Sequence, residues 1–224
     1  MEDYKDDSRQ AVGPKEQVAV LRVENHQIVG ENVKQTPSPN VGGPFTRPHP
    51  DTIVIHFTDG HNLEAAVDTL CDTDRKVSAH LVVGRDGALV QLVPFDQVAW
   101  HAGQSNWGER TQLNQHALGI EVQNAGRLRR HNDCFVSSLG QEYPDYEVCE
   151  AVHRNQVDPS YWHTYPQAQL EVIEHVCRVL VETYGIRHIL GHEEIAPQRK
   201  IDPGPAFPLD RLRHELLYQD THVA

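Results

Sequence analysis

The chain has 224 residues, of which 38% are hydrophobic, and its 20 basic and 32 acidic residues give a formal net charge of −12. This composition supports a buried core and excludes a disordered chain, while the acidic balance argues against nucleic acid, whose phosphates need a cationic surface. No apolar run reaches the roughly 18 residues of a membrane span, and the N-terminus shows no secretory signal. We therefore expect a cytoplasmic protein with neither a nucleic-acid nor a membrane partner.

The N-terminal third begins with an extension, which we place at residues 1–35. Its first 17 residues are a polar tail, and the short apolar segments VAVLRV and HQIVG that follow are candidate strands. Residues 34–50 are rich in proline and glycine, which predicts a loop. TIVIHF (52–57) is a continuous apolar run with β-branched residues, typical of a strand buried on both faces. The main domain is predicted to span 36–220.

The middle of the chain alternates between helix and strand signals. Asn62 is placed to cap a helix whose apolar residues recur at helical spacing. SAHLVV and ALVQLV flank an RDG turn and predict a hairpin over 78–93, and LGIEVQ (118–123) alternates as a further strand. Residues 127–164 have no clear period, so we predict a long insertion there, with one short helix at 145–154.

The C-terminal part has the clearest helix of the chain. It is predicted over 166–184, where Gly185 ends it, and it is followed by a strand at 186–192 and a closing helix at 208–218. The order of elements predicts an α/β fold with a single mixed β-sheet packed by helices.

The histidines of the sequence suggest a metal-binding site. Two predicted strands end in His56 and His192, and ligands of open α/β sheets bind beyond the carboxyl ends of strands, so the two can converge. Asp202 follows in a segment that Pro203 keeps extended. Two imidazoles and one carboxylate leave a fourth position open, as in a catalytic zinc site. Spacing alone also allows both histidines to be ordinary surface or core residues.

Four segments resemble a known family. IVIHFTD, VSAHLVVGRDGALVQLVPFDQVAWHAG, NQHALGIEVQN and LGHEEIAPQRKIDPGPAF are similar to the zinc-dependent N-acetylmuramoyl-L-alanine amidases of the type 2 family, which includes phage lysozyme-type amidases and animal peptidoglycan recognition proteins. RKIDPGPAF and VPFDQVAWHAG most resemble the AmpD-like branch, which recycles 1,6-anhydro-muropeptides. The resemblance covers 36–126 and 165–215, and it implies a mixed sheet packed by helices.

The resemblance also implies the site residues and the reaction. His56, His192 and Asp202 would bind one Zn²⁺, and the amide between the lactyl group of N-acetylmuramic acid and L-alanine of the stem peptide would be cut. Glu121 would move the proton of the attacking water to the leaving amine, and Lys200 would stabilise the oxyanion. From the residues alone, Glu121 faces either solvent or a site, and Lys200 is equally explained as an exposed loop lysine.

The segments that line the substrate groove of this family supply candidate contacts to peptidoglycan fragments. Trp100 is suited to stacking on a sugar or peptide face, and Arg85 or Arg110 to pairing with a stem-peptide carboxylate. Arg85 sits in a predicted turn, where a solvated arginine is common. The full set of predicted substrate contacts is His80, Arg85, Trp100, His101 and Arg110.

Two alternatives to a muropeptide amidase stay open. A non-catalytic peptidoglycan-binding receptor would not need the complete ligand set, and an exported or phage-type wall lysin would gain no attraction to anionic walls from a charge of −12. The aromatic residues of the insertion either form one wall of the substrate groove or hold the insertion against the rest of the domain. In the first case, the enzyme is expected to prefer small soluble muropeptides to intact peptidoglycan. These aromatic residues are Tyr143, Tyr146, Tyr161 and Trp162.

Overall fold

The computed structural model describes residues 21–46 and 50–218. The strands are β1 (Arg22–Glu24), β2 (Gln27–Val29), β3 (Val33–Gln35), β4 (Val41–Pro44), β5 (Thr52–Phe57), β6 (Leu81–Val83), β7 (Leu89–Gln91), β8 (Gln97–Ala99), β9 (Asn106–Trp107), β10 (Arg110–Thr111), β11 (Ala117–Val122), β12 (Arg127–His131), β13 (Cys134–Val136), β14 (Glu142–Tyr143), β15 (Val148–Val152), β16 (Pro159–His163) and β17 (His188–Gly191). The α-helices are α1 (Leu63–Cys71), α2 (Gln167–Tyr184), α3 (His192–Ile195) and α4 (Leu209–Leu217), with 3₁₀ turns at Leu113–Gln115 and Asp145–Glu147. None of these helices is long and apolar enough to cross a membrane.

A six-stranded central sheet has the order β17-β5-β11-β6-β7-β3. Strands β17, β5, β11 and β6 run parallel, β6 and β7 form an antiparallel hairpin, and β3 runs parallel to β7 at the edge. Helices α2 and α4 contribute to the main apolar core against this sheet, and α1 packs on a second cluster beside β6 and β7. The predicted α/β fold with a mixed sheet packed by helices is confirmed.

Strand alternation decides which side chains enter the main core. Ile53 and Ile55 of β5 pack in that core with Ile173 and Val176 of α2. Successive side chains of a strand point to opposite faces. His56 therefore lies on the face of the sheet opposite α2, beyond Val54, which belongs to a separate small cluster.

Three of the four predicted helices are confirmed, and the two with predicted bounds, 166–184 and 208–218, end within one residue of the expected positions. The side chain of Asn62 accepts a hydrogen bond from the Ala65 backbone N–H at 2.6 Å and caps α1 as expected. Helix α2 ends at Gly185, whose φ of 66° is the left-handed conformation that favours glycine after a helix. Helix α4 follows Pro208.

Residues 127–163 form a second sheet of five antiparallel strands, in the order β14-β13-β12-β16-β15. The short helix predicted at 145–154 is wrong: a 3₁₀ turn precedes strand β15, which pairs along its whole length with β16. Both strands leave residues partly exposed on each face, so their sequences lack the strict alternation that marks a half-buried strand. Pairing between strands, which no single window of sequence shows, decides their structure.

The described part of the N-terminal extension packs on the rest of the chain. Leu21 and Ile28 belong to the main core, and β3 forms an edge of the central sheet. The Ile28 backbone N–H donates to Oε1 of Gln91, a buried residue of β7, at 2.7 Å. The division at residue 35 and the status of 127–164 as an insertion stay predictions.

Candidate active site and metal centre

The carboxyl ends of β17, β5 and β11 place three polar side chains together. Glu121 of β11 is opposite His56 of β5 in the parallel register. Gly191 of β17 is opposite Ile55, so the following residue, His192, comes next to His56. The strand predicted over 186–192 ends at Gly191, and His192 is the first residue of α3. The structure thus brings both histidines to one edge of the sheet.

Asp202 completes a buried triangle of ligand atoms. Nδ1 of His56 lies 2.9 Å from Nδ1 of His192, and Oδ2 of Asp202 lies 3.1 Å and 2.9 Å from these two nitrogens. Ligand atoms of a tetrahedral zinc ion at about 2.0–2.1 Å are about 3.3 Å apart. The triangle therefore fits a small metal ion with an open fourth position. Among the described residues this is the single His/Cys/Asp/Glu group that could hold a metal ion.

The far nitrogens of both histidine rings have partners that fix the tautomers. Nε2 of His192 donates to the Ala102 carbonyl at 3.2 Å. Nε2 of His101 lies 3.2 Å from the Ala117 carbonyl, which can only accept, so Nδ1 of His101 accepts from Nε2 of His56 at 3.0 Å. Both His56 and His192 therefore present an unprotonated Nδ1 to the triangle, as metal ligation requires.

Burial and charge favour the metal-binding protonation states. Burial, followed by the nearby His192, lowers the pKa of His56 to about 4. Burial alone would raise the pKa of Asp202, but the adjacent imidazoles of His192 and His56 outweigh it and hold the pKa below its ordinary value. A neutral imidazole and an ionised carboxylate are the forms that bind a metal ion.

Glu121 is the titratable residue next to this triangle. Its Oε2 atom is inaccessible to solvent and has no hydrogen-bond partner among the described residues. Burial, and then the negative charge of Asp202, raise the pKa of Glu121 to about 8, and the positive charge of Lys200 opposes this rise. One oxygen of this carboxyl group is therefore without an internal partner, in a residue that lines the groove over the triangle.

A groove of about 900 Å³ opens over the triangle and over Glu121 and Lys200. Residues of α1 line one part, and residues of the second sheet line another. Trp100 and His101, two of the predicted substrate contacts, lie in it, but the ring of His101 is mostly buried against His56. The second sheet and its β13–β14 turn contribute Arg127, Leu128, Arg129, Val136, Ser137, Ser138 and Leu139.

Two of the three arginines of β12 were not among the predicted site residues. Arg127 and Arg129 are exposed and line the groove, and neither forms an ion pair within residues 21–46 and 50–218. Their spacing of two residues puts them on one face of a strand. The segment RLRRH carries that alternation, but without an assigned strand it did not identify a groove wall.

His80 does not reach the groove. Its side chain is fully buried, its Nδ1 accepts from the Gly119 backbone N–H at 2.9 Å, and its Nε2 donates to the Gln97 carbonyl at 2.9 Å. Both nitrogens are therefore used inside the core, and burial lowers the pKa of His80 to about 4. The prediction that His80 contacts substrate has no support in its position.

Arg85 and Arg110 also lie outside the groove lining. Nη1 of Arg85 donates to the Thr164 carbonyl at 2.8 Å, which ties the β6–β7 turn to the end of the second sheet. Arg110 donates from both Nη atoms to the carboxylate of Asp51, at 2.7 and 2.9 Å. These arginines were predicted to pair with substrate carboxylates, but each side chain is hydrogen-bonded to another residue of the chain.

A family model and several curated relatives match this chain. The model described as "Amidase_2: N-acetylmuramoyl-L-alanine amidase" matches residues 46–205. The N-acetylmuramoyl-L-alanine amidase AmiD of Escherichia coli (strain K12) is 30% identical over 177 residues, 75% of this chain and 54% of that protein. The 1,6-anhydro-N-acetylmuramyl-L-alanine amidase AmpD of the same strain is 34% identical over 140 residues, 62% of this chain and 57% of AmpD. The chain spans just over half the length of these relatives.

Solved structures share the fold. A crystal structure of a selenomethionine derivative of AmpD is 26% identical with a TM-score of 0.60, covering 84% of this chain and 95% of that one. E. coli AmiD, solved with the substrate anhydro-N-acetylmuramic acid-L-Ala-D-γ-Glu-L-Lys, is 25% identical with a TM-score of 0.57, covering 88% of this chain and 66% of that one. The match over 46–205 and these likenesses bear out the resemblance noted from the sequence, and the chain belongs to the N-acetylmuramoyl-L-alanine amidase family.

Proposed function

We propose that this protein is a zinc-dependent N-acetylmuramoyl-L-alanine amidase. It would hydrolyse the amide between N-acetylmuramic acid, or its 1,6-anhydro form, and L-alanine of peptidoglycan or muropeptides. The observation that carries the proposal is the buried triangle of His56, His192 and Asp202 beside Glu121, at the base of a groove in a chain of this family. A complete ligand set with a neighbouring carboxylate supports an enzyme over a non-catalytic receptor.

In this proposal, His56 and His192 hold the metal ion through Nδ1 and Asp202 holds it through Oδ2. Zinc, when bound, supplies a Lewis acid that polarises the scissile carbonyl and makes water a stronger nucleophile. The nearby positive charges of Lys200 and of a bound metal ion lower the pKa of Glu121, so its carboxylate accepts the proton of the attacking water and delivers it to the departing amine nitrogen. The ammonium group of Lys200, which lines the same groove, offsets the negative charge that develops on the carbonyl oxygen.

We further propose a soluble anhydro-muropeptide as the preferred substrate. AmiD was solved with an anhydro-muropeptide, and the AmpD relatives are named as 1,6-anhydro-N-acetylmuramyl-L-alanine amidases. The second sheet lines the groove with Arg127 and Arg129, which supports a bounded site for a short ligand with carboxylates over an open trough for a glycan strand. A cytoplasmic location stays a prediction from the sequence.

The test combines metal analysis with product analysis. Purified protein is expected to contain about one zinc per chain, and mass spectrometry is expected to show stem peptide and anhydro-sugar released from an anhydro-muropeptide. Intact sacculi, digested in parallel, should react more slowly. A preference for sacculi would favour the wall-lysin alternative.

The variants His56→Ala and His192→Ala are expected to lose both zinc and turnover. His188→Ala is the matched control, because His188 begins β17 but is not part of the triangle. Normal zinc content and turnover in both triangle variants would refute the assignment.

A further inference from the structure

The second sheet reaches the segments that carry two of the proposed metal ligands. Nε2 of His153, a fully buried residue after β15, lies 2.7 Å from Oε2 of Glu193. The same Oε2 accepts from the Gly204 backbone N–H at 3.1 Å. Glu193 directly follows His192, and Gly204 lies two residues after Asp202. One carboxylate oxygen therefore joins both ligand segments to the second sheet.

The hydrogen-bond pattern fixes the direction of this contact. Nδ1 of His153 accepts from the backbone N–H of Asn155 at 3.2 Å, so Nε2 carries the proton and donates to Glu193. The neutral ring is sufficient for this bond. The side-chain amide of Asn155 also donates to the Glu193 carbonyl at 3.0 Å. Glu193 is thus held at its carboxylate and at its backbone by a single loop.

Close packing supports the same segments. The ring of Trp162 lies so near Gly204 that an added Cβ would sit 2.8 Å from Cζ3. Trp162 also stacks on His153, with ring centroids 5.6 Å apart. Within the site, the Glu193 backbone N–H donates to the Asp202 carbonyl at 2.8 Å. The second sheet therefore packs against the segments around His192 and Asp202, which are also hydrogen-bonded to each other.

We propose that the second sheet, acting through His153 and Glu193, positions His192 and Asp202 for metal binding and so sets the affinity of the site for zinc. This inference rests on the proposed function, because it takes these two residues as ligands. Partners outside the ligand shell typically change metal affinity by about 10–100-fold when they are removed. His153 and Glu193 are positioning residues, and neither is assigned contact with substrate.

The test is zinc affinity, measured without substrate by competition with a chelating indicator. His153→Leu, which removes the donor but keeps an apolar side chain against Trp162, is expected to weaken zinc binding by about 10–100-fold. His153→Gln, whose amide can donate from the position of Nε2, is expected to bind zinc nearly as wild type does. Phe135→Leu is the matched control, since Phe135 is a buried residue of the second sheet in a different cluster.

Thermal unfolding with and without zinc separates positioning from general stability. A purely structural role would lower Tm equally in both conditions and leave zinc affinity unchanged, as expected for Phe135→Leu. If His153→Leu does not fold, Asn155→Ala, at an exposed position, is expected to fold and to weaken zinc binding.

Wild-type zinc affinity in a folded His153→Leu or Asn155→Ala protein would overturn the inference, as would equal weakening in Phe135→Leu. A wild-type protein that binds no zinc would instead refute the proposed function itself. The two failures are therefore distinguishable.

Discussion

Replacing Gly119 with alanine tests whether the ring of His101 orients His56. A Cβ at position 119 would lie 2.4 Å from Cγ of His101 and 2.7 Å from both Cδ2 and Nδ1. Carbon atoms in favourable contact are about 3.5–4.0 Å apart, so the ring of His101 has to move by about 1 Å. Overpacking of this kind typically costs about 1–3 kcal/mol of stability.

The displacement also breaks the hydrogen bonds that orient the histidines. The ring of His101 now bonds His56 at 3.0 Å and the Ala117 carbonyl at 3.2 Å. Lengthening either distance by about 1 Å ends the bond. His56 then loses the partner that keeps its Nδ1 unprotonated, so zinc affinity is expected to fall by about 10–100-fold.

Zinc competition and thermal unfolding measure both effects of Gly119→Ala. Gly60→Ala is the control, because a Cβ there makes only ordinary contacts, at 3.7 Å, and it should keep zinc affinity and Tm. The double variant Gly119→Ala/His101→Ala removes the overlap, so it should recover part of the stability without recovering zinc affinity. If Gly119→Ala binds zinc as tightly as wild type, the orienting role of His101 is refuted.

Three further predictions concern catalysis, substrate binding and pH. Glu121→Gln and Lys200→Ala should keep wild-type zinc content and Tm. The kcat should fall by about 10²–10⁴-fold in Glu121→Gln and by about 10²–10³-fold in Lys200→Ala. An unchanged kcat in Glu121→Gln would mean that another residue is the general base. Arg127→Ala/Arg129→Ala should raise KM about 10-fold for a muropeptide with free stem carboxylates and leave kcat unchanged, since an exposed ion pair is worth about 0.2–1 kcal/mol and two are lost. An unchanged KM would count against carboxylate binding there. Asp51→Asn should lower the free energy of unfolding by about 1–3 kcal/mol at pH 7. Burial raises the pKa of Asp51, but hydrogen bonds with Arg110 and Arg187 outweigh it and hold the pKa below its ordinary value of 3.8. Denaturant titration should therefore show the stability difference between wild type and variant disappearing as the pH falls below 3.8, and a pH-independent difference would contradict this assignment.

The closeness of the three proposed ligands could be predicted because strong local signals agree with one topology. TIVIHF and the strand before His192 are apolar runs, and parallel pairing brings their carboxyl ends to one edge of the sheet. The proximity of His56, His192 and Asp202 follows from that edge and from the extended segment before Pro203. The residues alone left open whether these histidines bind a metal ion, and resemblance to the family supplied the ligand set as well as the roles of Glu121 and Lys200.

The remaining contacts depend on pairings between distant residues. Nothing local shows that Arg110 bonds Asp51 across 59 positions, so both arginines assigned to substrate were equally compatible with internal partners. Strands β15 and β16 of the second sheet were missed because they leave residues partly exposed on both faces. The contact of His153 with Glu193, 40 positions apart, follows only once that sheet is placed against α3.

The position of β5 in the centre of the sheet has a consequence for synthesis on the ribosome. Thr52 pairs with Ala117 on one side and with His188 on the other, so the second neighbour of β5 emerges 136 residues after it. At about 5–20 residues per second, this apolar strand has at least one open edge until roughly 7–27 s after its own synthesis. An open, apolar edge is a template for pairing with other chains. Chains truncated before residue 191 are therefore expected to aggregate during expression, whereas the finished chain closes that edge with β17.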